Sequence, residues 1–309
     1  MNKYFQILTL ILVTSITSGC TGQPPGESLD IKGSDTLVQL VADMAQTYME
    51  NDPEADVIVT GGGSGTGIAA LINGEVDIAI SSRQITAREI EIARKKGIEP
   101  WEFIIARDGL AVIVNPDNQL KNLTQDQVGA IYRGDIANWN QIGGADQEIT
   151  LYGRQSTSGT YEFFLEHVVN WQQTRKNDYS PKMRNMEGNK AIADAVTADP
   201  TGIGYVGIGY VTDKINVINV ARDTLSEYIS PLDEANIEND LYPITRPLYQ
   251  YTSGKPDKDS MLYAFIRFEL SETGQNIVRR AGFYPINKAD RAQNQEKISA
   301  IEGDTPIFF

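Results

Sequence analysis

ADVIVTGGGSGTGIAALINGEVDIAISSR, residues 55–83, decides the fold. ADVIVT is β-rich, the glycines that follow force a turn, GIAALING carries a helical period, and VDIAI is again a strand. A strand, a helix and a second strand in about 25 residues form the unit from which parallel sheets are built. Working outward, LDIK (29–32) precedes the helical LVQLVADMAQTYMEN (37–51), and AREIEIARKKG (87–97) follows. WEFIIARDG (101–109) and LAVIVNP (110–116) read as extended and end at Pro116. A second αβ set then runs through QDQVGAIYRG, EITLYG, TYEFFLEHVVNW and KAIADAVTAD to the glycine-interrupted GIGYVGIGYV (202–211). LYPITRPLYQYT (241–252) is extended, and DSMLYAFIRFELSETGQNIVRRAG (259–282) has helical spacing.

If 241–252 returns to the first unit, the chain crosses twice between two lobes, near 113 and near 245. The expected fold is therefore α/β and two-lobed, each lobe a mixed, mainly parallel sheet flanked by helices, with a two-strand hinge and a cleft that closes on its cargo. Lobe I is expected over 29–113 and 245–309, lobe II over 114–244.

The first 19 residues hold one basic side chain, Lys3, then the mostly apolar run Ile7 to Val13 and small residues up to Cys20. This reads as a signal peptide, too short to span a bilayer. Cys20 is the only cysteine, so it has no internal disulfide partner; Thr17-Ser18-Gly19-Cys20 resembles a lipobox, with Thr in place of the commoner Leu. Cys20 is accordingly expected to carry lipid, and residues 20–28, rich in Pro and Gly, to form a flexible tether. The chain of 309 residues has 27 basic and 41 acidic side chains, net −14 at pH 7. Such a surface repels nucleic acid and acidic lipid, so any anion must be held by short-range donors inside a cleft.

Four loops supply such donors: Gly33-Ser34-Asp35-Thr36, Gly63-Ser64-Gly65-Thr66-Gly67, Ser81-Ser82-Arg83, and Arg154 to Thr160. Each follows an apolar strand and enters a helix, where N–H groups and the positive end of the dipole point outward and glycine permits close approach. Ser and Thr hydroxyls add neutral donors, and Arg154 a bidentate fork. Taken singly, each loop reads equally as an ordinary helix cap. Asp35 has two readings, acceptor at the ligand or cap for the following helix; Arg83 likewise, second cation at the ligand or solvated arginine.

GSDT before a helix, the 59–83 run, RxxxSGT and DPTGIGYVGIGYV together resemble the phosphate-binding proteins of high-affinity phosphate ABC transporters, over roughly residues 29–287. The resemblance implies phosphate between two lobes, held by Thr36 and the Leu37 amide, Ser64, Arg154, Ser158, Gly159 and Thr160. With Ser34, Asp35, Gly65, Ser82 and Arg83 these form the expected ligand set. Better-known members carry an acid where this chain has Ser82, and another where it has Ser156. A carboxylate there accepts a phosphate proton and repels sulfate, so sulfate, molybdate or arsenate stay open as ligands.

Gly65-Thr66-Gly67-Ile68-Ala69-Ala70 fits a dinucleotide fingerprint formally, yet the next strand ends in Ser81-Ser82 rather than an acid, and no Lys follows as in a P-loop. The single histidine, His167, lies on a helix away from the loops, so neither a zinc site nor a Ser/His/Asp hydrolase assembles readily. Trp101, Trp139 and Trp171 read as core or rim. The expectation is a monomeric, cofactor-free, extracytoplasmic lipoprotein that delivers phosphate to a transporter permease; a phosphate-ester hydrolase and a sensor for a membrane kinase are the alternatives.

Overall fold

The computed structural model describes residues 28–303. The leader, Cys20 and residues 20–27 of the tether lie outside the described residues. In chain order the elements are β1 (Ser28–Gly33), α1 (Val38–Asn51), β2 (Asp56–Thr60), α2 (Ser64–Asn73), β3 (Ile78–Ser81), α3 (Ala87–Lys95), β4 (Trp101–Gly109) and β5 (Ala111–Val114). There follow β6 (Asn122–Thr124), α4 (Gln125–Arg133), β7 (Thr150–Arg154), α5 (Gly159–Phe164), β8 (Arg184–Met186), α6 (Asn189–Ala198), β9 (Gly202–Val206), β10 (Asn216–Val217) and β11 (Asn219–Ala221). The last are α7 (Glu234–Glu238), β12 (Thr245–Thr252), α8 (Met261–Leu270), α9 (Glu272–Arg280) and α10 (Lys288–Glu302).

One five-stranded sheet has the order β2-β1-β3-β12-β4, the other β10-β5-β9-β7-β8, and β11 pairs in parallel with β6 in a third sheet of two strands. In the first, β1 pairs in parallel with β2 and β3, while β12 runs antiparallel to β3 and β4. In the second, β7 is parallel to β8 and β9, while β5 is antiparallel to β9 and β10. These two sheets are thus evenly mixed, because the strands next to the crossings enter each lobe against the direction of the βαβ units. Leu29 and Ile31 of β1 pack on Leu40, Val41 and Met44 of α1 in one core, and Val112, Tyr132, Phe164 and Tyr205 are buried in the other.

The first crossing falls at Leu110, not near 113: β4 ends at Gly109 in the first sheet and Ala111–Val114 already belongs to the second. Leu110 N–H donates to the Ile244 carbonyl at 2.9 Å, joining that crossing to the residue before β12. β1 opens at Ser28, the last residue of the expected tether.

Local chemistry sets the remaining boundaries. Thr86 with Glu89 and Thr124 with Gln127 form capping boxes for α3 and α4. The run 259–282 divides at Ser271, whose hydroxyl accepts the Gly274 amide and starts α9. Helix α10 was not anticipated: KADRAQNQEKISAIE is polar on nearly every side. Its Asn294 side chain both accepts from Ile104 N–H and donates to Ile104 C=O, so an amide completes the edge of β4.

Candidate functional site

All four loops stand where a strand ends and a helix begins: after β1, β2, β3 and β7. Three belong to the first sheet and one to the second, and they meet. Thr36 Oγ1 lies 3.1 Å from Thr160 Oγ1, Ser64 Oγ 3.3 Å from Ser82 Oγ, and Ser82 Oγ 3.4 Å from Thr160 Oγ1. The four hydroxyls are buried, with Thr36, Ser64, Ser82 and Thr160 no more than 1% exposed. Gly65 N–H donates to Thr157 C=O at 3.2 Å, a further contact between the lobes. Ser34 C=O accepts the amides of Leu37 and Val38, and Ser158 Oγ caps α5 by accepting Thr160 N–H at 3.2 Å.

Glycine is required at Gly159 by space rather than by dihedral angle. A Cβ there would fall 2.3 Å from Ser64 Oγ and 2.9 Å from Ser82 Oγ. Gly159→Ala is therefore expected to weaken binding of an oxyanion at this cluster about tenfold or more with little loss of fold, since the methyl enters the hydroxyl cluster rather than the core. Calorimetric titration together with circular dichroism checks this.

Arg154, at the end of β7, is 2% exposed. Its Nη2 bonds Asp35 Oδ2 at 2.6 Å across the lobes and the Glu187 carbonyl at 3.2 Å. Its Nε and Nη1 are buried with no hydrogen-bond partner among the described residues. Asp35 does not cap α1: its Oδ1 takes Gly62 N–H at 2.8 Å, and Tyr210 donates to its carbonyl at 2.8 Å. Burial pushes the Tyr210 phenol up to about 12 against the pull of Arg154, so it acts as a neutral donor. A pocket of about 670 Å³ opens beside this pair, lined by Asp35, Gly62, Arg154, Gln155, Glu187 and Lys190 among others.

Arg83 does not join the cluster. Its guanidinium is turned to two carboxylates, Glu89 at 2.7 and 2.8 Å and Glu162 of α5 in the other lobe. Glu89 lies only six residues on, and holding it satisfies the α3 capping box as well, so the side chain folds back on its own loop. Burial raises the Glu89 carboxyl, but hydrogen bonds from Arg83 and Thr86 outweigh this and keep it below the usual range. Burial lifts Glu162; Arg83 opposes that, and Glu89 and Glu166 reinforce it. His167 is exposed, stacked on Phe163, with Nδ1 3.0 Å from the Phe163 carbonyl.

Three residues of this site escaped the sequence reading. Arg246 of β12 sits directly opposite Asp108 of β4, on the two strands that lead to the crossings. Its Nε and Nη2 bond Asp108 Oδ2 at 3.1 and 2.7 Å, Nη1 bonds the Ser82 carbonyl at 2.9 Å, and Nη2 also reaches Thr160 Oγ1 at 3.1 Å. Asp108 Oδ1 accepts Ile208 N–H at 2.8 Å from the other lobe. Burial pushes the Arg246 pKa down, with Asp108 opposing it. Asn189, first residue of α6, donates from Nδ2 to Thr36 Oγ1 at 3.3 Å and accepts Gly207 N–H at 3.2 Å. A charged residue near the crossing end of each of two strands, Asp108 in β4 and Arg246 in β12, was the available signal.

Two α/β lobes joined by paired crossings, with hydroxyls and an arginine gathered from both, define a solute-binding protein whose cleft is built to accept an oxyanion. The chain matches the PBP superfamily domain over residues 19–273. The phosphate-binding protein PstS of Pseudomonas aeruginosa is 31% identical over 274 residues, covering 84% of this chain and 83% of that protein. PstS of Borreliella burgdorferi is 31% identical over 284 residues, 91% of this chain and 98% of that one. A proposed phosphate ABC transporter substrate-binding protein from Clostridium perfringens, solved with bound phosphate, superposes with a TM-score of 0.73 at 27% identity over 84% of this chain and all of that one. The chain belongs to the PstS-type phosphate-binding proteins of this superfamily.

Proposed function

We propose that this protein binds inorganic phosphate between its lobes and hands it to the permease of an ABC transporter, making and breaking no bond. The observation that carries this reading is Arg154: a guanidinium 2% exposed with two N–H-bearing nitrogens unpartnered among the described residues, beside a cluster of four buried hydroxyls. Buried donors of this kind are costly unless something accepts from them, and a charged acceptor returns the most. Thr36, Leu37, Ser64, Gly65, Ser82, Arg154, Ser158, Gly159 and Thr160 form the proposed ligand shell, with Ser34 shaping the first loop and Asp35 steering Arg154. Since the hydroxyls touch one another, binding exchanges hydroxyl–hydroxyl contacts for hydroxyl–anion contacts, and the lobes open at Leu110 and Ile244 to admit the ion. A monomer outside the cytoplasm, tethered by lipid on Cys20, is the arrangement in which such a receptor serves a membrane permease.

Calorimetry of the purified protein with phosphate, sulfate and molybdate tests the assignment. Phosphate is expected to bind most tightly; equal or tighter binding of sulfate overturns it.

A further inference from the structure

We infer that Asn189 and Arg246 are positioning residues: each biases, from behind, the direction in which a threonine hydroxyl presents its proton, so that the cluster is set to donate to the unprotonated oxygens of a bound phosphate. The inference rests on the reading of the cleft as a phosphate site and adds to it the reason why hydroxyls can serve there as reliable donors.

A hydroxyl has one proton and two lone pairs, and by itself it donates or accepts indifferently. In three of the four hydroxyls of this cluster one of the two lone pairs is already taken by a fixed N–H donor. Thr36 Oγ1 receives Nδ2–H of Asn189 at 3.3 Å, Thr160 Oγ1 receives Nη2–H of Arg246 at 3.1 Å, and Ser64 Oγ receives the Ser82 amide at 3.1 Å. None of these donors can reverse its role. A backbone amide and a guanidinium only donate. The Asn189 side chain is fixed because its Oδ1 takes the Gly207 amide at 3.2 Å, which forces Nδ2 toward Thr36. Arg246 is locked in turn by Asp108 on Nε and Nη2 and by the Ser82 carbonyl on Nη1.

With a lone pair occupied from behind, each hydroxyl keeps its proton for the opposite side, where an anion that displaces the Thr36–Thr160 and Ser64–Ser82 contacts receives it. The unprotonated oxygens of a phosphate ion accept from all three together, while a proton that the ion itself carries needs an acceptor elsewhere in the shell. Ser82 Oγ alone of the four receives no N–H among the described residues, which leaves it as the hydroxyl able to accept from a ligand.

Asn189→Asp tests this, because the substitution keeps shape and the Gly207 bond while replacing a donor to Thr36 by an acceptor. Thr36 then gives its proton to the new carboxylate and shows lone pairs to the anion. The new negative charge also repels phosphate, and the Thr36→Val background separates the two effects, since there only the charge remains. By calorimetry, Asn189→Asp is expected to weaken phosphate binding about thirtyfold or more in the parent, and at least about threefold less than that in the Thr36→Val background. Asn189→Ala, which frees Thr36 to rotate without opposing it, is expected to cost less than Asn189→Asp in the parent. Should Asn189→Asp fail to fold, Asn189→Ala in the same two backgrounds carries the test, with a coupling of at least about threefold expected. Equal costs with and without the Thr36 hydroxyl, within about twofold, overturn the inference while leaving the phosphate site standing. A parent protein that binds no phosphate overturns the site and the inference together.

Discussion

Arg154→Ala is expected to raise the dissociation constant for phosphate at least about thirtyfold, a loss of about 2–5 kcal/mol, the range for truncating one partner of a buried charge pair. Two consequences of the geometry act in the same direction. The substitution removes the Nε and Nη1 donors that have no other partner among the described residues, and it frees the Asp35 carboxylate, whose Oδ2 lies 2.6 Å from Nη2, to face the incoming anion. Arg154→Lys keeps the charge but not the planar fork, and is expected to fall between the two. Asp35→Asn, which removes the competing negative charge while leaving the arginine, is expected to cost much less than Arg154→Ala. Calorimetric titration of the four proteins checks the order. A change of under about tenfold for Arg154→Ala would show that the guanidinium does not meet the ligand.

The loops were legible because their chemistry is local. Gly63-Ser64-Gly65 and Ser158-Gly159-Thr160 announce helix starts by residue type, and the strand before each fixes its place at a sheet edge. Residues whose role depends on distant partners were not legible. Arg83 could be placed at the cleft but not oriented: that Glu162 lies across from it follows from the packing of α5 against the third loop. Arg246 and Asp108 are separated by 138 positions, and their pairing depends on the register of β12 against β4. Asn189 reads as one more polar residue at a helix start until Thr36 is seen beside it. The equal mixture of parallel and antiparallel pairs in the two five-stranded sheets has the same origin, since periodicity reports a strand but not its neighbour.

Asp108→Ala is expected to destabilise the folded protein by about 3–5 kcal/mol, because it leaves the Arg246 guanidinium buried without its counter-charge. Asp108 is fully buried and Arg246 is 1% exposed, so water cannot replace the lost partner. The substitution also orphans the Ile208 amide, which bonds Asp108 Oδ1 from the other lobe. Replacing both charges, Asp108→Leu with Arg246→Met, removes the uncompensated charge and is expected to recover at least half of that loss, as apolar replacements of buried ion pairs commonly do. Phosphate affinity is not expected to recover with it, since Thr160 loses the donor on its Oγ1 and the Ser82 carbonyl loses its own. Urea unfolding followed by circular dichroism gives the stabilities and calorimetry the affinities. A single substitution costing under about 1 kcal/mol would mean that the pair is not a buried ion pair in solution. A double substitution that restores phosphate binding along with stability would mean that Arg246 supports the crossings alone and has no part in arranging the hydroxyls.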